Sequence, residues 1–179
     1  MTVAIVIAVV ILIILIWFVA TSNALNKAVV KIDEANSGID VALTKRYDVL
    51  TKMLDITKGY AKHEKETLFE TIKLRKDMSM AEKSEANNKM SEAFGKINVL
   101  AEAYPELKSS ENFKTLQLSV SDVEEHLQAA RRLYNANISY YNQMIVSFPT
   151  SIIAGMKGLT KKEFFVADEV KKEDVKMEF

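Results

Sequence analysis

The chain has 179 residues with 24 Lys and Arg against 24 Asp and Glu, so no net charge draws it to a polyanion and no nucleic-acid partner is expected. It contains no cysteine, which excludes disulfides, thiolate catalysis and zinc-cysteine centres. Five Gly and two Pro are too few for the turns of an all-β fold and favour long helices.

All of the charges lie at or beyond Lys27. Ahead of them, residues 3–20 read VAIVIAVVILIILIWFVA, an unbroken run of 18 apolar residues from Val3 to Ala20. As a helix this run is about 27 Å long, enough for the hydrocarbon core of a bilayer. Trp17 and Phe18 stand near its polar edge, where aromatic rings anchor to the interface. A cleaved secretory signal is the rival reading, with Ser22 and Ala24 as small residues at a cleavage site. That reading wants basic residues before the run and a shorter apolar core. The flanking cations Lys27, Lys31, Lys45 and Arg46 all follow the span, so the positive-inside rule places the amino terminus outside and the carboxyl side in the cytoplasm. The expected organisation is a transmembrane anchor over 1–22, a helical bundle over 23–160 and a charged tail over 161–179.

From Ile39 the apolar residues recur at helical steps through Leu43, Tyr47, Leu50, Leu54, Ala61, Leu68 and Ile72, with Thr57 and Glu64 as polar members of the stripe. Gly38 is the expected joint between this helix and the membrane segment, because glycine weakens a helix interior. Asn23 to Ser37 could supply part of a fourth face. A turn is expected within residues 78–88, followed by a second stripe, Ala86, Met90, Ala93, Ile97, Leu100 and Tyr104, stopped by Pro105. PELKSS reads as a loop in which Ser109 or Ser110 caps the next helix and Glu111 lies in its first turn. The most regular stripe follows: Leu116, Val120, Val123, Leu127, Ala130, Tyr134, Ile138, Tyr141, Ile145 and Phe148. Pro149 ends that helix, Thr150 or Ser151 caps a short one, and Gly158 closes it. The tail beyond Lys161 lacks a clear period, with Phe164, Phe165 and Phe179 as its docking residues. Such stripes bury one another most economically as an all-α fold, a membrane helix followed by an antiparallel bundle of long helices.

Several stretches together resemble the LemA family of bacterial single-span membrane proteins: NALNKAVVKIDEANSGIDVAL (23–43), RYDVL (46–50), KGYAKHE (58–64), AEAYPELKSSENF (101–113), RRLYNANISYYN (131–142), FPTSIIAGMKG (148–158) and VKMEF (175–179). The resemblance implies an amino-terminal transmembrane helix and a helical-bundle domain, and it supplies no reaction. The chain departs from the family pattern at Thr51, which stands where a proline is usual, so a proline kink has no source there.

Two polar groups invite a site. Arg131 lies one turn before Tyr134 and Asn135, and Tyr141 and Asn142 repeat the Tyr-Asn pair two turns later, which reads either as a polar pocket or as a core network that fixes register. Arg46 and Glu64 share a face of the first helix about five turns apart, too far to touch, so each needs a partner on another helix. Asp48 and His63 stand near them. No Glu-x-x-His pair, His-Glu-x-x-His motif, nucleophile elbow or phosphate loop occurs, so no catalytic, metal or cofactor residue is assigned. At the carboxyl end Val175, Met177 and Phe179 alternate beside a terminal carboxylate and suit strand addition to a groove that captures chain ends; docking on the chain's own bundle is the competing reading. The expected role is a non-enzymatic scaffold or adaptor, its partners the bilayer, through the amino-terminal helix, and unidentified proteins, a second copy included. A lipid-contacting membrane-remodelling or envelope-stress factor, or an enzyme with a polar site in the bundle, are the alternatives.

Overall fold

The computed structural model describes residues 1–59, 74–75 and 77–166. These residues form helices and no strand: α1 (Thr2–Thr57), α2 (Met80–Ala103), α3 (Pro105–Ser109), α4 (Glu111–Val146) and α5 (Thr150–Met156). They divide into two compact units, one of Met1–Ser37 with Arg132–Phe164, the other of the described residues of Gly38–Arg131 with Phe165 and Val166.

The helix α1 is continuous through Gly38, so the expected joint is absent, although the two units divide at that residue. It is equally continuous through Thr51, whose hydroxyl turns back to donate to the Tyr47 carbonyl at 2.9 Å. The reason is local consistency. No proline interrupts residues 2–57, and the 3- and 4-residue steps of buried positions run unbroken through the glycine. Residues 60–73, where the sequence places Glu64, Leu68 and Ile72, lie outside the described residues.

In the first unit α1 presents Leu25, Ala28, Ile32 and Ala35 to the core, and α4 and α5 present Tyr134, Ile138, Tyr141, Ile145 and Ile153. The juxtamembrane stretch therefore does supply a core face. The two helices are antiparallel, since Asn137 donates to the Lys31 carbonyl at 3.0 Å and Tyr134 lies in the field of Asp33. In the second unit Ile39, Leu43, Leu50 and Met53 of α1 meet a core with Met90 and Ile97 of α2, Leu107 of α3, and Phe113 and Leu127 of α4. Burying each such side chain is worth about 1.5–3 kcal/mol. Within that unit α1 and α2 run in the same direction, Asp40 pairing with Lys83 and Arg46 with Asn87 and Ser91. α2 and α4 are antiparallel, as the short α3 connection requires.

Several helix ends differ from expectation. α2 starts at Met80, six residues ahead of the expected stripe, because Ser79 and Glu82 form a capping box in which each satisfies the other's backbone N–H. The PELKSS loop is the single-turn helix α3, with Pro105 in its first turn and Leu107 fully buried. Neither Thr150 nor Ser151 caps α5; Pro149 occupies the cap position after a cis Phe148–Pro149 bond. Gly158 closes α5 with φ +63, a conformation an L side chain rarely adopts, while Leu159 N–H returns to the Ala154 carbonyl at 3.0 Å. Phe148, the last member of the long stripe, is 82% exposed.

Candidate functional site

Arg46 is the most deeply placed charge of the second unit, 3% exposed, and it stands on the core stripe of α1 between Leu43 and Leu50. Its terminal nitrogen Nη1 donates to both the carbonyl and the side-chain oxygen of Asn87, the former at 2.9 Å. Nη2 donates to Ser91 Oγ at 2.9 Å and pairs with Glu124 Oε2 at 2.9 Å. The guanidinium carbon lies 5.5 Å from the centre of the Phe94 ring, a cation over an aromatic face. Only Nε finds no partner among the described residues. Burial lowers the Arg46 pKa from its ordinary value; Glu124 opposes this and Arg131 adds to it. Less than two turns earlier on α1, Asp40 Oδ1 meets Lys83 Nζ at 2.5 Å, with the Lys83 side chain 5% exposed. The second unit thus holds a ladder of charged contacts between α1 and α2, closed on α4 by Glu124.

The Tyr-Asn repeat serves a different purpose in the first unit. The chain after α5 runs back along α4 as an extended strap, antiparallel to it. Tyr141, 1% exposed, donates its hydroxyl to the Thr160 carbonyl at 3.1 Å. Asn142 accepts the Lys162 N–H at 2.9 Å and donates to the Lys162 carbonyl at 2.9 Å. Tyr134 donates to the Glu163 carbonyl at 3.2 Å. Burial, then Glu163 and Asp33, raise the Tyr134 pKa, and burial raises that of Tyr141. In the second unit Phe165 is buried and lies under Arg131, whose guanidinium carbon is 4.6 Å from the ring centre, and Ser84 donates to the Val166 carbonyl at 3.0 Å.

The expected polar network is therefore two arrangements. Tyr134, Tyr141 and Asn142 hold the strap, Asn135 is half-buried and engaged, and Arg131 stacks on Phe165 in the other unit. Arg46 is held instead by Asn87, Ser91 and Glu124, and it meets Arg131 as a like charge. Sequence spacing does not single out its partners Asn87, Ser91 and Glu124, although an arginine on an apolar stripe announces that polar partners must face it. Glu64 lies outside the described residues, as do Val175, Met177 and Phe179. The segment after residue 160, assigned to the tail, is strapped to α4 through Lys162 and Glu163, and Phe165 docks as expected while Phe164 is 46% exposed. His126 is exposed on α4, 3.6 Å from Asp122. A shallow groove on the solvent face of α1 in the first unit is lined by Asn23, Asn26, Lys27, Val30, Lys31 and Glu34.

What these arrangements do chemically is hold helices and a strap in one register, with donors aimed at carbonyls and carboxylates of the chain itself. At the amino end the opposite holds. The apolar window of α1 has a mean hydropathy of 3.5 and none of it is buried inside the molecule, a helix long and apolar enough to cross a membrane.

Comparison with known proteins places these features. The chain is 29% identical over 163 residues to "Protein LemA" of Metamycoplasma hominis, covering 88% of this chain and 74% of that one. It is 29% identical over 73 residues to "Magnetosome protein MamQ" of Magnetospirillum gryphiswaldense, and 30% identical over 73 residues to "Magnetosome protein MamQ 2" of Paramagnetospirillum magneticum. Each of these two matches covers 41% of this chain and 27% of the relative. The LemA family model matches residues 35–179. With the family model matched along most of its length, the chain belongs to the LemA family.

Proposed function

We propose that this protein is a membrane-anchored, non-enzymatic scaffold: α1 fixes it in the bilayer by residues 3–20, and the helical domain presents a surface to protein partners at the cytoplasmic face. What supports the reading is the way the interior polar groups are used. Both terminal nitrogens of Arg46 are committed to Asn87, Ser91 and Glu124, and the phenols of Tyr134 and Tyr141 to backbone carbonyls. A catalytic site keeps such donors turned toward a cleft where substrate can meet them. Here they close on the fold. The wholly exposed apolar window supports the anchor, and Lys27, Lys31 and Lys45, exposed just beyond it, support the cytoplasmic orientation. The likeness to magnetosome proteins is too partial to carry an activity across.

Crosslinking in native membranes, with identification of the captured proteins, tests the scaffold. Specific partners should appear with the full chain and disappear when residues 3–20 are deleted. Capture of nothing specific by the full chain removes the reading. Protease protection on sealed vesicles tests orientation; digestion of the helical domain from the outer face would reverse it.

A further inference from the structure

Phe148 belongs by spacing to the core stripe of α4, yet it is 82% exposed, and the chain around it shares that exposure. Val146, Ile152 and Met156 are 57%, 52% and 72% exposed. Ile152 and Met156, four apart, share one face of α5, and Val146 and Phe148 expose apolar side chains at the end of α4 and in the turn that leads into α5, so this end of the first unit carries an apolar tip. The turn around α3 exposes the charged Glu102, Glu106 and Lys108 around a partly exposed Tyr104, so a wholly apolar turn is not simply how this chain makes its corners.

The register of the first unit says where the tip stands. Asn137 on α4 meets Lys31 on α1, and the helices are antiparallel. From Asn137 to Val146 α4 advances about 13.5 Å, while from Lys31 back to Ala20 α1 covers about 16.5 Å. The tip is thus level with the end of the apolar run. Lys157, just after α5, reaches the same end of α1, donating to Asn26 Oδ1, six residues past Ala20, at 3.1 Å. α1 itself first becomes partly covered at Trp17, then at Thr21 and Ser22. The headgroup layer on each side of the hydrocarbon is about 5–7 Å thick, wider than the offset of about 3 Å between these two lengths.

We infer that the α4–α5 tip is a second membrane contact: Val146, Phe148, Ile152 and Met156 are seated in the headgroup and upper acyl region of the same leaflet from which α1 emerges. The inference rests on residues 3–20 spanning the bilayer. Lipid is the occupant because the patch is continuous with the membrane span at the same height, and because Lys157 and the exposed Lys161 flank it where anionic headgroups lie. Apolar side chains there gain about 25 cal/mol per Å² removed from water, so a spanning helix plus a seated tip fixes the tilt of the first unit, which a single helix cannot.

The native chain has no cysteine, so single-cysteine variants report one site each. The full-length protein carrying Phe148→Cys, Ile152→Cys or Met156→Cys is labelled with an environment-sensitive fluorophore and reconstituted in phosphatidylcholine–phosphatidylglycerol vesicles, with and without brominated acyl chains. Ile11→Cys reports the span, and Leu133→Cys, 58% exposed on α4 about 20 Å further from the membrane, reports the solvated surface. The expected result is loss of most emission to brominated lipid at residues 148, 152 and 156 as at residue 11, with residue 133 quenched only by aqueous iodide. Iodide access at the tip equal to that at residue 133, while residue 11 is quenched by lipid, overturns the inference and leaves the span intact. Failure of residue 11 to be quenched removes the span and the inference together. A tip shielded from iodide but untouched by brominated lipid is covered by another protein copy, which also overturns it. Because all of the reporter side chains are exposed, each variant should keep the wild-type circular dichroism, and one that does not is replaced by labelling at Val146→Cys.

Discussion

Replacing Arg46 by leucine removes a guanidinium that is 3% exposed and serves Asn87, Ser91 and Glu124 at once. A hydrogen bond to a charged group contributes about 1.5–3 kcal/mol net, and a buried amide left without a partner costs about 1–3 kcal/mol. These figures do not add here. Glu124 is 33% exposed and turns to water when its partner goes, and Ser91 keeps a 3.3 Å bond to the Asn87 carbonyl. Removing the cation also relieves its own desolvation and its repulsion from Arg131. The group stranded is the side chain of Asn87, 7% exposed. The expected net loss is about 2–4 kcal/mol, below the full cost of orphaning a buried charge. Urea unfolding of the full chain in detergent micelles, followed by far-UV circular dichroism, measures it. Arg46→Lys should lose most of the same stability, since one ammonium on a flexible stem cannot serve three partners that a planar fork reaches together. Adding Asn87→Leu to Arg46→Leu should restore more than half of the loss, because apolar groups of similar size replace buried polar networks well. A single Arg46→Leu variant as stable as wild type would sink the argument, as would a double variant weaker than the single one.

Four smaller perturbations probe other parts of the fold. Gly38→Ala should stabilise the chain by about 0.5–1 kcal/mol, since the position is helical and an added Cβ meets nothing within 4 Å; a lower urea midpoint would mean that a break at Gly38 matters. Ser79→Ala should cost about 1 kcal/mol by opening the capping box, and protection from hydrogen exchange should fall first at the start of α2. Asn142→Leu removes both hydrogen bonds to Lys162 and should cost about 1–3 kcal/mol while loosening the strap, read as faster proteolysis after Lys161 and Lys162; unchanged cleavage would place the strap's hold elsewhere. The raised pKa of Tyr134 means that the unfolded chain ionises this phenol first, so its contribution is complete below pH about 10 and is lost as the pH rises through the folded value; Tyr134→Phe should flatten the alkaline fall in stability, and an identical slope would refute the assignment.

The long apolar helix at the amino end is legible from its unbroken composition, and the core faces are legible because apolar periodicity reports burial directly: Leu43, Ile97, Leu127 and Tyr141 all fall where the stripes put them. What the stripes could not report is pairing across helices. Arg46 stands one residue before Tyr47, the position assigned to the stripe, yet it is Arg46 that faces the core, its stem packed among apolar neighbours and its fork on Asn87 and Glu124. The Ser79-Met80-Ala81-Glu82 capping signature is present in the sequence but is outweighed by the poor apolar content around it, which misplaces the start of α2. The Tyr-Asn repeat suggests a facing helix, and the facing element is an extended strap with no periodicity of its own, recognisable only once its carbonyls are seen to receive the phenols. Phe148 departs from its stripe for an instructive reason: a spacing rule assigns a side to a residue but does not know where the helix stops, and Phe148 lies two residues past the end of α4.

Why the second unit keeps charge in its core follows from the same stripes. Apolar steps of three and four repeat nearly unchanged after seven residues, so apolar burial alone hardly distinguishes the native pairing of α1 and α2 from one slipped by two turns. The polar contacts do distinguish them. In the native register Asp40 meets Lys83 and Arg46 meets Asn87 and Ser91. Slipped by seven toward the end of α2, those three partners become Met90, Phe94 and Asn98. Asp40 would then face a thioether, and the buried guanidinium would exchange the Asn87 amide for a ring and the Ser91 hydroxyl for the Asn98 amide, losing at Asn87's place hydrogen bonds worth about 1.5–3 kcal/mol each. Slipped by seven the other way, the three partners become Lys76, Met80 and Ser84 in the sequence, so a lysine and a hydroxyl are kept and it is the Asn87 amide that is lost, this time to a thioether in the first turn of α2. In neither slipped register does the fork of Arg46 find a side-chain amide where Asn87 stands in the native one. The buried cation therefore works against mispairing as well as for stability: its desolvation is offset most fully where α1 and α2 are correctly aligned, and a slip of either sign takes the Asn87 amide away from it.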